Sequence, residues 1–141
     1  MKNLKVKLLD EEAKISPPSY PGDAGYDVYS MVNVALEPLQ RLDIPLGLAL
    51  EFSSDYVCLT QGKSGVAKRL GLDTLGNVID SSYRGEIHAQ VVNVSNETVF
   101  IQKGMKIAQL LFIKISTPEI QFIDELSESD RGEKGFGSTG I

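Results

Sequence analysis

Ile44-Pro45-Leu46-Gly47-Leu48-Ala49-Leu50-Glu51-Phe52 decides the fold class, because every second residue from Ile44 to Phe52 is a large hydrophobic. That is the period of a strand with one face in a core. Outward from it the same pattern recurs. Ser53-Ser54-Asp55 forms a turn, Tyr56 to Thr60 forms the next strand, and Cys58 falls within it as a core residue. Toward the N-terminus, Leu4, Val6 and Leu8 alternate with Lys5 and Lys7 as a half-buried strand. Toward the C-terminus, Ile87 to Val94 leads through Ser95-Asn96 into Thr98 to Ile101, which predicts a hairpin. Lys106 to Ile115 closes the series. Its β-branched content between Gly104 and Pro118 predicts a strand buried on both faces rather than a helix. A short helical turn is expected around Val66 to Leu70. The class that follows is all-β, with a jelly-roll or distorted barrel around one core.

The 141 residues suffice for one domain, and 42% hydrophobic content suits a soluble globular chain. A net charge of −5 argues against a general nucleic-acid binder, although Lys63, Lys68, Arg69 and Arg84 gather within a short stretch and leave room for a small anion. One cysteine and one histidine exclude an intrachain disulfide and a Cys/His zinc site within the chain. Met1-Lys2-Asn3-Leu4-Lys5 carries no apolar signal-like run, and no stretch approaches the length of a membrane span. No membrane association and a cytoplasmic location are expected.

Between the strands the polar residues form islands. Gly76-Asn77-Val78-Ile79-Asp80-Ser81-Ser82-Tyr83-Arg84-Gly85-Glu86 reads as a hairpin that holds the Asp80 carboxylate at a pocket edge, where it can orient a water and accept its proton. An ordinary turn with a capping carboxylate competes evenly with that reading. Gln61 to Arg69 combines glycines, a cation and a hydroxyl in the manner of a phosphate-binding turn. It is not a P-loop, because Val57 stands where that signature needs glycine. Taken alone, a charged turn accounts for it better. The ending Arg131-Gly132-Glu133-Lys134-Gly135-Phe136-Gly137-Ser138-Thr139-Gly140 supplies backbone donors, hydroxyls, a guanidinium and one aromatic face, which suits closure over a nucleotide. Alone, it would read as a soluble tail.

Together with Ala24-Gly25-Tyr26-Asp27-Val28-Tyr29-Ser30 and Lys106-Ile107-Ala108-Gln109-Leu110-Leu111-Phe112, these islands resemble, in order and spacing, the five motifs of the trimeric dUTPase family across residues 24 to 140. The resemblance implies a β-clip, jelly-roll-like homotrimer with shared active sites, made of a β-barrel domain over 1–130 and a flexible Gly-rich arm over 131–141. It implies hydrolysis of dUTP to dUMP and pyrophosphate. Asp80 matches the aspartate that positions the attacking water, and Tyr83 the ring that packs under deoxyribose. Asn77, Val78 and Ile79 match the segment that reads uracil, with His88 at its far side and Thr74 at the base pocket. Lys63, Ser64, Gly65 and Gln109 match phosphate-binding positions. Arg131 matches the terminal-phosphate grip, Phe136 the base-stacking aromatic, and Gly137, Ser138 and Thr139 the phosphate wrap. Asp27 matches an aspartate near the metal and phosphate region, and Mg²⁺ is expected mainly on the triphosphate.

Three positions depart from the family pattern. Lys63 stands in place of arginine, Ser82 in place of a second acid, and Lys134 in place of a glycine. Lysine replaces a bidentate fork by a point charge. A dCTP deaminase of the same superfamily is the nearest rival reading, and a non-catalytic nucleotide-sensing module is another. The full tail motif argues against the deaminase and its bifunctional deaminase/diphosphatase relative, and the intact set of Asp80, Tyr83, Arg131 and Phe136 argues against the non-catalytic module.

Overall fold

A computed structural model describes residues 3–135. Twelve strands and one short helix follow in order: β1 (Lys5–Leu8), β2 (Ile15–Ser16), β3 (Tyr26–Tyr29), β4 (Val34–Leu36), β5 (Arg41–Pro45), β6 (Leu48–Glu51), β7 (Tyr56–Gln61), α1 (Ser64–Leu70), β8 (Leu72–Leu75), β9 (Val78–Ile79), β10 (His88–Asn93), β11 (Val99–Ile101) and β12 (Lys106–Lys114). One sheet runs β2-β3-β12-β7-β9 and another β5-β10-β8, with separate β1-β6 and β4-β11 ladders. Every pairing is antiparallel. The all-β reading holds.

The large hydrophobics from Ile44 to Phe52 face inward as their spacing predicts, but Gly47 and Ala49 between them are buried too, and the stretch does not stay in one pairing. Ile44, Leu46, Leu48, Leu50 and Phe52 are all buried. The chain nevertheless changes sheets midway, because Gly47 adopts φ 68° and separates β5, which pairs with β10, from β6, which pairs with β1. Only glycine takes that conformation without strain. A Cβ there would also meet Ala13 Cβ at 2.8 Å.

Three other expectations need correction. The hairpin over residues 87–101 does not form: β10 already has β5 on one edge and β8 on the other, so β11 pairs with β4 instead. The buried Asn93 turns the chain away at that point. Its Nδ2 donates to the carbonyls of Leu36 (2.9 Å) and Glu97 (2.8 Å), and its Oδ1 accepts from Ser95 N (2.9 Å) and Ser95 Oγ (2.7 Å). Asn93→Ala removes all four bonds and leaves the buried Leu36 carbonyl without this donor, which should cost about 2–4 kcal/mol, measurable by urea unfolding.

The island over residues 76–86 is likewise no hairpin, because β9 joins β7 while β8 joins β10. Its loop therefore bridges two sheets. Nor is β1 half-buried: it pairs only with β6 among the described residues, and its Val6 and Leu8 stay 36% and 52% exposed.

β12 lies at the centre of the five-stranded sheet, between β3 and β7. Ile107, Ala108 and Leu110 are buried, whereas Ile113 is 46% exposed, so burial on both faces holds for its first half alone. Phe112 packs edge-on against both Tyr26 and Phe52. Cys58 is fully buried as expected, and burial pushes its thiol up to about 12, which makes it inert. The helical turn around Val66 is the last part of α1, which ends on Gly71 at φ 64°.

Candidate active site

Two clefts collect the chemistry-bearing residues. The first, about 270 Å³, is lined by Val78, Ile79, Asp80, Tyr83, Glu86 and His88, with Asp43 and Gln90 at its wall. The second, about 330 Å³, is lined by Gly25, Asp27, Lys63 and Gln109 among others. No residue lines both.

The first cleft is built by the loop that follows β9. Tyr83 N–H donates to the Asp80 carbonyl (3.1 Å), and Arg84 Nη1 donates to the carbonyls of Ser81 (2.6 Å) and Tyr83 (3.0 Å), so the loop is tied to itself. It is also fastened to the core. Ile87 N–H donates to Leu48 O (2.8 Å), Leu46 N–H to Ile87 O (3.1 Å), and Gly47 N–H to the Glu86 carboxylate (2.9 Å). Asp80 stands exposed at the mouth, free to meet solvent and ligand. His88 is 3.6 Å from the other Glu86 oxygen.

Asn77 and Thr74 sit behind this cleft. Asn77 O accepts from Thr60 N–H (2.9 Å), and its amide, oriented to satisfy its neighbours, donates to Thr60 O (2.9 Å), Leu75 O (3.0 Å) and Thr74 Oγ1 (3.2 Å). These bonds pin β9 in place and leave the exposed Val78 at the cleft surface. Thr74 is buried with its hydroxyl against that amide.

The second cleft rests on ion pairing. Asp27 Oδ1 pairs with Lys63 and Oδ2 with Lys106 at 2.9 Å. Burial raises the Asp27 carboxyl, but the hydrogen bonds and charges of the two lysines outweigh it and leave a net value below the ordinary 3.8. Lys106 is shifted upward by the same partner. A lowered carboxyl stabilises the fold above its unfolded value, and that stability disappears as pH falls through the folded value. Asp27→Asn should therefore flatten the loss of unfolding stability as pH falls below the ordinary carboxylate value, as read by denaturant midpoints over an acid pH series.

Gln109 Nε2 donates to Gly62 O (3.0 Å), and a Cβ on Gly25 would collide with the Gln109 amide. A side chain at residue 25 would therefore displace the Gln109 amide from its bond to Gly62. Ser64 and Gly65 open α1 beside Lys63 and are exposed. Arg131 turns back on its own segment through Nε to Lys134 O (2.7 Å) and lines neither cleft. Phe136, Gly137, Ser138 and Thr139 lie outside the described residues.

No group of three or more His, Cys, Asp or Glu side chains that could hold a metal ion occurs among the described residues. Both Asp27 oxygens already face ammonium groups.

Asp43, Glu86, Gln90 and Lys106 were given no role from the sequence. Asp43 and Gln90 are cross-strand partners, a relation that depends on register. Glu86 and Lys106 stood within the quoted motifs.

A β fold with an acid-bearing cleft and a lysine-bearing cleft at separate places has close counterparts. The dUTPase family model matches residues 11–140. The deoxyuridine 5'-triphosphate nucleotidohydrolase of Paramecium bursaria Chlorella virus 1 is 38% identical over the full length of both chains, and that of Nautilia profundicola is 40% identical over 97% of this chain and 98% of its own. Among solved structures, the Staphylococcus bacteriophage 80alpha dUTPase with dUPNHPP superposes with a TM-score of 0.93 at 31% identity, covering both chains fully. A mutant dUTPase from phage phi11 of S. aureus, described for its coordination of a structural Mg(II) ion, gives a TM-score of 0.84 at 27% identity over 90% of this chain and all of that one. The chain belongs to the dUTPase family.

Proposed function

We propose that the chain is a dUTP diphosphatase, hydrolysing dUTP to dUMP and pyrophosphate and so limiting uracil in DNA while supplying dUMP for dTMP synthesis. Relatives named for this reaction along the whole chain support it. Asp80 orients a water and takes its proton as the water attacks the α-phosphorus in line with the departing pyrophosphate. Tyr83 packs under the sugar, and backbone groups from Asn77 to Ile79, with His88 opposite, read the base. Lys63, Ser64, Gly65 and Gln109 meet the phosphates. Arg131 grips the terminal phosphate, while Phe136 to Thr139 close over the nucleotide and exclude water. Mg²⁺ travels on the triphosphate and offsets its charge.

The observation that carries the shared-site form of this reading is the separation of the two clefts, which have no lining residue in common. A homotrimer joins the Asp80 cleft of one subunit to the Lys63 cleft of another. Exposed apolar residues support such assembly: Phe122 and Leu126 are 97% and 86% exposed, in addition to Val6 and Leu8 on β1. Pyrophosphate release measured over the dNTPs and UTP with Mg²⁺ present tests the reaction. Turnover should be confined to dUTP. Ammonia release from dCTP would instead establish the deaminase, and silence on every nucleotide a non-catalytic module.

A further inference from the structure

The Tyr83 ring does not stand free in its cleft. It folds over the turn that follows it, and its Oη donates to the Glu86 carbonyl at 3.1 Å. Beneath the ring lies Gly85. A Cβ added there would meet Tyr83 Cζ at 2.5 Å and Cε2 at 2.9 Å, and would collide with Oη. The three nearest atoms to that Cβ all belong to the Tyr83 ring. Gly85 is also absent from the glycines with positive φ, so its backbone would accept alanine without strain. Most of the other glycines with a close neighbour in this protein sit against a different part of the chain, as Gly47 does against Ala13 and Gly25 against Gln109.

We infer that Gly85 is a specificity-determining positioning residue: its missing side chain lets the Tyr83 ring lie flat on the 83–86 turn, which sets how much room the cleft leaves at the sugar 2′ position. This deepens the proposed function and rests on it for the sugar's placement. The ring is 49% exposed and its tip can swing outward, so a methyl group at residue 85 displaces the ring rather than the fold. The cleft then opens where a 2′-hydroxyl would sit. A ring that packs against deoxyribose discriminates by shape, and that discrimination is lost when the ring moves.

The test compares kcat/KM for dUTP and UTP in wild type, Gly85→Ala, Tyr83→Leu and the double variant. Gly85→Ala should reduce the dUTP-to-UTP preference by about tenfold, chiefly through a gain in kcat/KM for UTP, with a melting temperature within about 4 °C of wild type. In the Tyr83→Leu background the same change should alter the preference by less than about twofold, because the two residues act as one unit. An unchanged preference in Gly85→Ala overturns the inference. So does unfolding of that variant, or an equal effect of Gly85→Ala in both backgrounds. A wild type that does not prefer dUTP over UTP fails the proposed function itself, a result distinct from these.

Discussion

Asp80→Asn is expected to lower kcat for dUTP by about a thousandfold, some 4 kcal/mol of transition-state stabilisation, while the Kd for a non-hydrolysable dUTP analogue stays within about threefold. Asparagine keeps the size and one acceptor oxygen of the side chain but gives up the basic oxygen that takes the proton from water. Asp80 is exposed at the cleft mouth, and its carbonyl is tied into the loop by Tyr83 N–H. The substitution therefore leaves the scaffold untouched. Single-turnover kinetics beside calorimetric binding separates the two effects. Loss of binding with turnover retained would remove Asp80 from its catalytic role.

The second large effect concerns residues 131–141. Removing them should lower kcat/KM for dUTP by about a hundredfold or more, since closing segments contribute positioning and water exclusion. The fold should survive. Among the described residues, the last strand ends at Lys114 and the buried hydrophobic core extends no further along the chain than Leu110. Circular dichroism melting and sedimentation of the truncated chain should thus match the full-length protein. A truncated chain that unfolds or changes its oligomeric state would make the tail structural.

Burial was more legible in the sequence than pairing. The alternation from Ile44 to Phe52 gave the inward-facing residues correctly, because side-chain direction in a strand is local. It could not reveal that Gly47 sends its two halves to different sheets, since edge availability is a property of the whole fold. The missed hairpin has the same origin: β10 is occupied on both edges by segments more than ten residues away. In the site, Asp80, Tyr83 and His88 do gather in one cleft, and Asp27, Lys63 and Gln109 in another. Lys106 escaped notice because its partnership with Asp27 is created by strand pairing across β3 and β12. Lys63, which replaces a family arginine, is engaged with Asp27 and so has a structural anchor at the point where its geometry was in question.

The corner at Gly47 has a further implication. Its N–H is bonded to Glu86, and its neighbours Leu46 and Leu48 are bonded to Ile87, so the loop that carries Asp80 shares its fastenings with a buried bend of the protein. Such a loop is no independent flap. Heat inactivation of this half of the site is therefore expected to track global unfolding, a coincidence that parallel activity and circular dichroism melts would check.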